Sequence, residues 1–367
     1  MNKLVFSNLF HRPLRSVISI FAVAIEVIMI LSVVGIFMGI LNDQAQRTNG
    51  IGADLMMMPS HAAMFNGLGT ASMPVADAVA LRRLPHVTIV SPAIQHTELT
   101  KSSISVIYGI DYPTFNALRP FVYVAGGPFK GPNDAIVDSV QAGAHHLHVG
   151  STIHILGRSF HVSGIVEPGK GGRMLLPIDT LARLMGVPGK ASVFYIKCDK
   201  PSNATLVTRE IHATPGLGDF EVLTMTDLLS QMTPSRIPGF NVALNAVTGI
   251  AVIVGFLVIF QALYTAVLER TREIGILKSM GASQQTIVSV VMRECAMLAI
   301  AGVLLGIVGT FGVRELVSHI FPTISFDITP GWIARGVIIA FCGAMCGAIY
   351  PSWMAARKDP VDALAYE

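Results

Sequence analysis

The chain reads as a membrane α-helical protein with four transmembrane helices and a mixed α+β extracytoplasmic domain inserted between helices 1 and 2. Three observations predict this. Of 367 residues, 52% are hydrophobic and only 13% charged, with a mean hydropathy of +0.59, too apolar and charge-poor for an ordinary soluble enzyme. Four apolar runs, Ser16 to Leu41, Asn241 to Leu268, Ile287 to Val313 and Trp332 to Trp353, each have the length to cross a bilayer. The polar residues concentrate between about Asn42 and Pro238, enough chain for one folded domain or two small ones.

Residues 1–15 form a cytoplasmic amphipathic segment, in which Lys3, His11, Arg12 and Arg15 alternate with Leu4, Phe6, Leu9 and Phe10 before a break at Pro13. Helix 1 spans 16–41, and its roughly 39 Å at 1.5 Å per residue exceeds a ~30 Å hydrocarbon core. It is expected to be a retained anchor, because Ala22 and Ala24 come too early in the run to mark a cleavage site. Glu26 interrupts it. A carboxylate at that depth must be neutral, paired or facing a cavity. Two readings follow: a contact with a neighbouring span or partner subunit, or a polar point on a substrate path.

The inserted domain covers 42–239. Ile51 to Pro59 (IGADLMMMP) is expected as its first strand, and Ser103 to Ile110, Thr152 to Val166 and Ser192 to Lys197 as further strands from their β-branched content. Helices are expected over Pro74 to Leu84, with Ala76, Val79, Ala80 and Leu84 inward, over Asp179 to Met185, with Leu181, Leu184 and Met185 inward, and from Thr226 and Asp227 onward. Pro234, Pro238 and Gly239 punctuate the return to the membrane. Helix 2 follows at 240–268, a connector at 269–286, helix 3 at 287–313, an outer loop at 314–330, helix 4 at 331–353 and a tail at 354–367. Arg12 and Arg15, Arg270, Arg272 and Lys278, and Arg357 and Lys358 all flank the same side, which places both termini in the cytoplasm and the insert outside. Gly302, Gly306 and Gly309 recur at helical spacing in helix 3 and permit close packing.

The connector Glu269 to Ala282, ERTREIGILKSMGA, is built like a short helix. Glu269 can pair with Arg272, or Glu273 with Arg270, at three-residue spacing, Ile274, Leu277 and the Lys278 stem share one face, Gly281 suits a C-terminal cap and Ser283 a new N-cap. It is either a solvated turn anchored by positive charge or an interfacial helix offering a mixed face to something in the cytoplasm. Arg293 and Glu294, near the start of helix 3, can reach the headgroups or pair with it.

Other patterns carry less. Cys198 alone of four cysteines lies in the insert, which therefore closes no internal disulfide, and Cys342 and Cys346 are expected as small buried residues of a packed span. His145, His146, His148, His154 and His161 lack Cys or carboxylate at ligand spacing and are expected to be exposed or hydrogen-bonded, so no metal site is assigned. Gly169 to Arg173 (GKGGR) lacks the phosphate-loop spacing and is expected as a flexible loop. No stretch reads GxxxxGK[ST], no catalytic constellation appears, and no basic run with interleaved aromatics points to nucleic acid. The chain is not expected to be an enzyme.

The connector resembles the coupling-helix motif ERxxEIGxxKxxGA of the MacB/FtsX/LolC-E permease superfamily of ABC transporters, the type VII exporters. NLFHRPLRSVIS resembles that family's opening helix, ECAMLAIAGVLLGIVG its third span and YPSWMAARKDPVDAL its tail. The resemblance implies ATPase-coupling roles for Glu269, Arg270, Arg272, Glu273, Ile274, Gly275, Lys278, Gly281 and Ala282, and Glu294 falls at the family's carboxylate position. Glu26 departs from it, since the family more often has a small residue there. The implied partners are an ABC ATPase subunit, a second permease copy or paralogue as a dimer, membrane lipid and, optionally, a periplasmic adaptor. No cofactor is assigned to this chain, and ATP and Mg belong to the ATPase, which is expected as a separate subunit because the chain starts directly at the membrane helix. The implied function is mechanotransmission for export or extraction of lipid, lipoprotein, peptide or drug in the bacterial cytoplasmic (inner) membrane. The alternative is an FtsX-like relay that activates an outside hydrolase without transport.

Overall fold

The computed structural model describes residues 13–60, 72–99, 104–233 and 239–357. The amphipathic segment before Pro13, Ser103, Pro234, Pro238 and the tail from Lys358 lie outside the described residues. The chain forms two units: one of Met1–Gly39, Pro238–Ile320 and Ile324–Glu367, the other of Ile40–Ile237 and Phe321–Thr323.

Helix α1 (Pro13–Gly50) opens on a proline, whose missing N–H costs nothing in a first turn. It runs on to Gly50 rather than ending at residue 41. The polar turns are held locally, with Arg47 3.0 Å from Asp43 and donating to Gln44 Oε1 at 3.1 Å. Gly52, at φ +81, then turns the chain into the sheet.

In the α/β unit, β1 (Leu55–Pro59), β2 (Met73–Pro74), α2 (Asp77–Leu81), β3 (Val87–Leu99), β4 (Ile104–Ile110), α3 (Tyr112–Leu118), β5 (Tyr123–Gly126), β6 (Asp134–Asp138), α4 (Ser139–Ala144), β7 (Thr152–Ile155) and β8 (Arg158–Val166) come first. They are followed by β9 (Met174–Pro177), α5 (Ile178–Leu184), β10 (Lys190–Ala191), β11 (Val193–Cys198), α6 (Ala204–Ala213), β12 (Phe220–Thr224) and α7 (Met225–Gln231). The ten-stranded sheet has the order β12-β1-β11-β3-β4-β9-β6-β8-β5, with β7 paired to β8. The β4–β9 and β6–β8 pairs are parallel, and the others are antiparallel.

The central strands are covered on both faces. Met56 and Met58 join a core with Tyr108, Phe115 and Tyr195, while Leu55 and Met57 join one with Phe194, Ile196 and Val207. This explains why LMMM shows no polar alternation. A third core gathers Ile94, Ile107, Phe160, Leu176 and Leu181.

Three expectations need correction. Thr152 to Val166 is a hairpin, broken where Leu156 (φ 48) and Gly157 (φ 74) both take the left-handed conformation that a two-residue turn requires. Helix α2 is five residues long and buries Ala78 and Leu81, leaving Val79 54% exposed, so the stripe of Ala76, Val79, Ala80 and Leu84 has the wrong phase. The Gly169 to Arg173 segment is packed: Gly171 N–H donates to Arg47 O at 2.9 Å and Lys170 is buried.

The helical unit adds α8 (Phe240–Glu269), α9 (Thr271–Ser279), α10 (Gln284–Ile320) and α11 (Pro330–Arg357) to the first part of α1. Among the described residues four helices are long and apolar enough to cross a membrane, and the chain is a multi-pass membrane protein. Their shared core contains Val23 and Val27 of α1, Ile259 and Leu263 of α8, Ala299 of α10, and Ala340, Ala344 and Ala348 of α11. A Cβ on Gly302 would fall 2.6 Å from Val23 Cβ and one on Gly306 2.7 Å from Val27 Cβ, so these glycines let α10 lie against α1. Cys342 and Cys346 are exposed, contrary to expectation, on the outer face of α11. An apolar face toward lipid and one toward the bundle are indistinguishable by composition.

Candidate functional site

The connector is helix α9. At its start Arg270 reaches back across the bundle to Glu294 of α10, with Nη1 3.2 Å from Oε2 and 3.5 Å from Oε1. Both side chains are about nine-tenths buried, at 11% and 8% exposure, so this pair is shielded from solvent and breaking it leaves a costly unpaired charge. It ties the connector to α10, a tertiary contact beyond the local pairing expected along the connector. Tertiary burial outweighs an exposed neighbour pair worth a few tenths of a kcal/mol. Thr271 Oγ1 donates to Leu268 O at 2.8 Å, tightening the corner between α8 and α9.

Helix α9 has two faces. Ile274 and Gly275 are buried, Leu277 and Ala282 pack against the bundle core, and Lys278 Nζ donates to Ala356 O near the end of α11 at 2.9 Å. The connector is thereby tied to both following spans. Arg272, Glu273, Ile276 (44% exposed) and Met280 (71% exposed) form the outward face, with Glu269 exposed at the end of α8. So Ile274, Gly275, Lys278 and Ala282 serve the inner face, and the outward face adds Ile276 and Met280. Their three-to-four-residue spacing was the available signal. Gly281, at φ +92, ends the helix as Ala282 N–H returns to Leu277 O at 3.0 Å, and Ser283 Oγ accepts from Thr286 N at 3.2 Å to start α10. A cavity of about 70 Å³ lies between Leu263, Ile274, Val291, Arg270, Glu273 and Glu294.

Glu26 sits within α1 at 3% exposure, and neither carboxyl oxygen has a hydrogen-bond partner among the described residues. Room for it is made by glycine: a Cβ on Gly255 of α8 would stand 1.9 Å from Oε2.

The α/β unit holds a second charged cluster. Arg173 donates through Nη1 to Asp138 at 3.1 Å and through Nη2 to Asp43 at 3.2 Å and to Thr323 O at 3.2 Å. Asp138 also accepts from Gln141 N at 2.7 Å as the N-cap of α4. Burial raises the Asp138 pKa above the ordinary range, opposed by the Gln141 bond and the Arg173 and Arg47 charges. Beside it, Lys170 Nζ donates to Phe115 O at 3.0 Å and to Arg119 O, and lies 4.0 Å from the Phe121 ring centroid. Desolvation, with Arg119 and Lys197 nearby, lowers its pKa to about 7. Neither arginine nor lysine stood out in the sequence, because their partners come from distant segments. The histidines at 145, 146, 148, 154 and 161 are exposed, and no group of three or more potential metal ligands occurs among the described residues.

A helical bundle with a charged connector between its second and third spans, and a large α/β unit inserted after the first, defines a membrane permease architecture. Residues 16–214 match the MacB-like periplasmic core domain and residues 245–360 the FtsX-like permease C-terminal domain. The chain belongs to this family and is an ABC transporter permease of the MacB/FtsX type. Such a permease implies an ATPase partner in the transporter. Relatives include the ABC transporter permease YvrN of Bacillus subtilis (strain 168), 24% identical over 100% of this chain and 99% of that one. The macrolide export ATP-binding/permease protein MacB of Hahella chejuensis is 25% identical over 97% of this chain but only 58% of its own length. Among solved structures, the periplasmic region of MacB from Actinobacillus actinomycetemcomitans is 14% identical, covering 50% of this chain and 94% of that one with a TM-score of 0.38.

Proposed function

We propose that the chain is the membrane subunit of an exporter that converts ATP hydrolysis in a separate subunit into movement of its α/β unit. In this reading ATP and Mg are bound by that ATPase, against which the outward face of α9 docks. The chain sits in the bacterial cytoplasmic membrane with both termini inside, pairs with a second copy or a paralogue, and works with a periplasmic adaptor where one is present. The short-loop basic residues Arg270, Arg272, Lys278 and Arg357 support the orientation. The observation that carries the reading is the two-faced connector: its inner face is fixed to α10 by Arg270–Glu294 and to α11 by Lys278, while Ile276 and Met280 are left outward. A push on that outward face would be passed to two spans at once.

The names of relatives that export macrolides support an amphiphilic cargo, and lipid, lipoprotein, peptide and drug all fall in that class. Export is preferred over an FtsX-like relay because the long match to the MacB-like core domain covers the inserted unit. The test alters the outward face alone: Glu273→Lys with Ile276→Glu and Met280→Glu should leave the permease folded but unable to co-purify with its ATPase. Retained co-purification and normal cargo-stimulated hydrolysis would remove the connector from its coupling role. Stimulation by an outside hydrolase alone, with no ATP-dependent release of cargo, would replace export by the relay.

A further inference from the structure

Strands β4 and β9 of the α/β unit lie side by side and parallel, with Ile110 opposite Pro177 at their carboxyl ends. From there the chain leaves to opposite faces of the sheet. Helix α3 buries Phe115 and Leu118 in the core that takes Tyr108 and Ile110 of β4, whereas α5 buries Ile178 and Leu181 in the core that takes Ile107 of β4 and Leu176 of β9. Alternate strand residues face opposite ways, so the two helices diverge and a crevice opens between their first turns. Such a switch point, outside the carboxyl ends of parallel strands, is where open α/β sheets bind ligands.

The crevice has a volume of about 290 Å³, close to the ~300 Å³ at which small-molecule sites begin. Asp111 and Tyr112 form one wall, Asp179 at the start of α5 a second, and Phe129 and Lys130 of the loop between β5 and β6 a third. These walls are fixed to one another. The amides of Lys130 and Gly131 donate to Asp134 Oδ2 at 2.6 and 2.8 Å, Thr180 Oγ1 donates to Pro132 O at 2.8 Å, and the Phe129 ring meets Tyr112 edge-on at 5.9 Å between centroids. An aspartate ahead of a helix commonly serves its first amides. The Asp111 side chain makes no such bond and accepts instead from Thr114 Oγ1 at 2.6 Å, while Asp179 is exposed. Among the described residues neither carboxylate stands in an ion pair, and nor does Lys130. Two carboxylates against one ammonium leave the crevice net negative, and the aromatic rings beside them attract the same sign of charge.

We propose that this crevice binds a guanidinium cation of the size of an arginine side chain, with its N–H groups on Asp111 and Asp179 and its plane against the Tyr112 and Phe129 rings. Planarity and a fork of five donors suit a guanidinium to two carboxylates and a ring at once. An anion is disfavoured by the two carboxylates. A metal ion is disfavoured because no group of three or more potential ligands occurs among the described residues. The cation can arrive as a small solute or on a peptide, since both present the same group. Binding here needs neither nucleotide nor ATPase, so the site stands or falls independently of the coupling and export readings.

The full chain in phosphatidylcholine nanodiscs is titrated with n-butylguanidinium or with its neutral counterpart n-butylurea and followed by saturation-transfer difference NMR of the ligand, with empty nanodiscs as the blank. Saturable binding of n-butylguanidinium is expected, at least about tenfold tighter than of n-butylurea, since charge-assisted bonds are the difference between them. Asp111→Asn combined with Asp179→Asn should remove that preference. Lys130→Gln, which deletes the like charge, should tighten n-butylguanidinium by about twofold. Asp111→Asn keeps an oxygen for the Thr114 hydroxyl and Asp179 is exposed, so the melting temperature should hold. If the double variant does not fold, Asp179→Asn alone decides, with a loss of about threefold expected. Acetyl-Ala-Arg-Ala-amide carries the same group on a peptide: tighter binding than n-butylguanidinium assigns the site to a peptide side chain, and equal or weaker binding assigns it to a small solute. Equal affinities for n-butylguanidinium and n-butylurea, an affinity indifferent to Asp179→Asn, or no saturable signal would overturn the proposal.

Discussion

Arg173 gathers two carboxylates and a backbone carbonyl within the α/β unit, while Arg270 meets the carboxylate of Glu294 across the helical bundle. In the α/β unit Asp43 is shared with Arg47 and Asp138 with a helix N-terminus, so the cluster is cross-braced. In the helical unit the Arg270–Glu294 pair borders a small cavity and anchors one short helix. A network in which each member has several partners fixes one geometry, whereas an ion pair that borders unfilled space has room to rearrange. The first arrangement suits a part that must move as a rigid body, and the second suits a joint.

The largest effect should come from breaking the braced cluster. Arg173→Leu leaves the partly exposed Asp43 with Arg47 as a cationic partner and strips the buried Asp138 of its ion pair, which should cost about 3–5 kcal/mol. Chemical denaturation followed by the accessibility of Cys198, buried in the α/β unit, would read this. A loss below about 1 kcal/mol would show that the cluster is not a brace.

The joint should respond differently. Arg270→Leu or Glu294→Leu alone should each destabilise the helical unit by about 2–4 kcal/mol, and the double change should recover most of the loss, because two matched apolar side chains fill a buried site without an orphan charge. Additive losses in the double-mutant cycle would mean that the pair is not coupled as its geometry requires. Smaller still is the hinge: Gly281→Ala forces a Cβ into φ +92 and should cost ~1–2 kcal/mol, visible as a lower melting temperature of the full chain.

How far the two regions were legible in sequence follows from the range of their interactions. The end of α9 and the start of α10 rest on Gly281 and Ser283, and a glycine ending a helix and a serine starting one act within a few residues. The span interiors were likewise legible from apolar length alone. The span ends were not, since Asp43–Arg47 carries α1 past its apolar run. Strand β3 was missed because Pro92 and the polar Gln95, His96 and Thr97 interrupt its apolar residues, although its neighbours on the sheet bury it. Gly169 to Arg173 was misread most, because what orders it comes from Arg47, Phe115, Asp138 and Thr323, far off in the chain. Glu26 was visible as an anomaly, but the glycines that house it belong to other helices.

The smallest effect distinguishes the braced region by pH. Lys170 titrates near 7 in the fold, against about 10.4 for a free lysine, and its neutral amine keeps two N–H groups for the carbonyls of Phe115 and Arg119. Between those values the unfolded chain binds more protons than the folded one, so the stability of the α/β unit should rise with pH. The slope cannot exceed about 1.4 kcal/mol per pH unit for one group. The Cys198 thiol, pushed up to about 11 by burial and by Asp54 and Asp199, acts in the opposite sense once free thiols ionise near 8.5. The window from about pH 7 to 8 therefore isolates the lysine. There the denaturation midpoint of the wild-type α/β unit should climb, while Lys170→Met, less stable at every pH for want of a donor to the two carbonyls, should show a flat profile. A wild-type midpoint that does not climb across that window, or a Lys170→Met profile with the same slope, would mean that the Lys170 ammonium stays charged in the fold, held by the Phe115 and Phe121 rings and the carbonyls of Phe115 and Arg119.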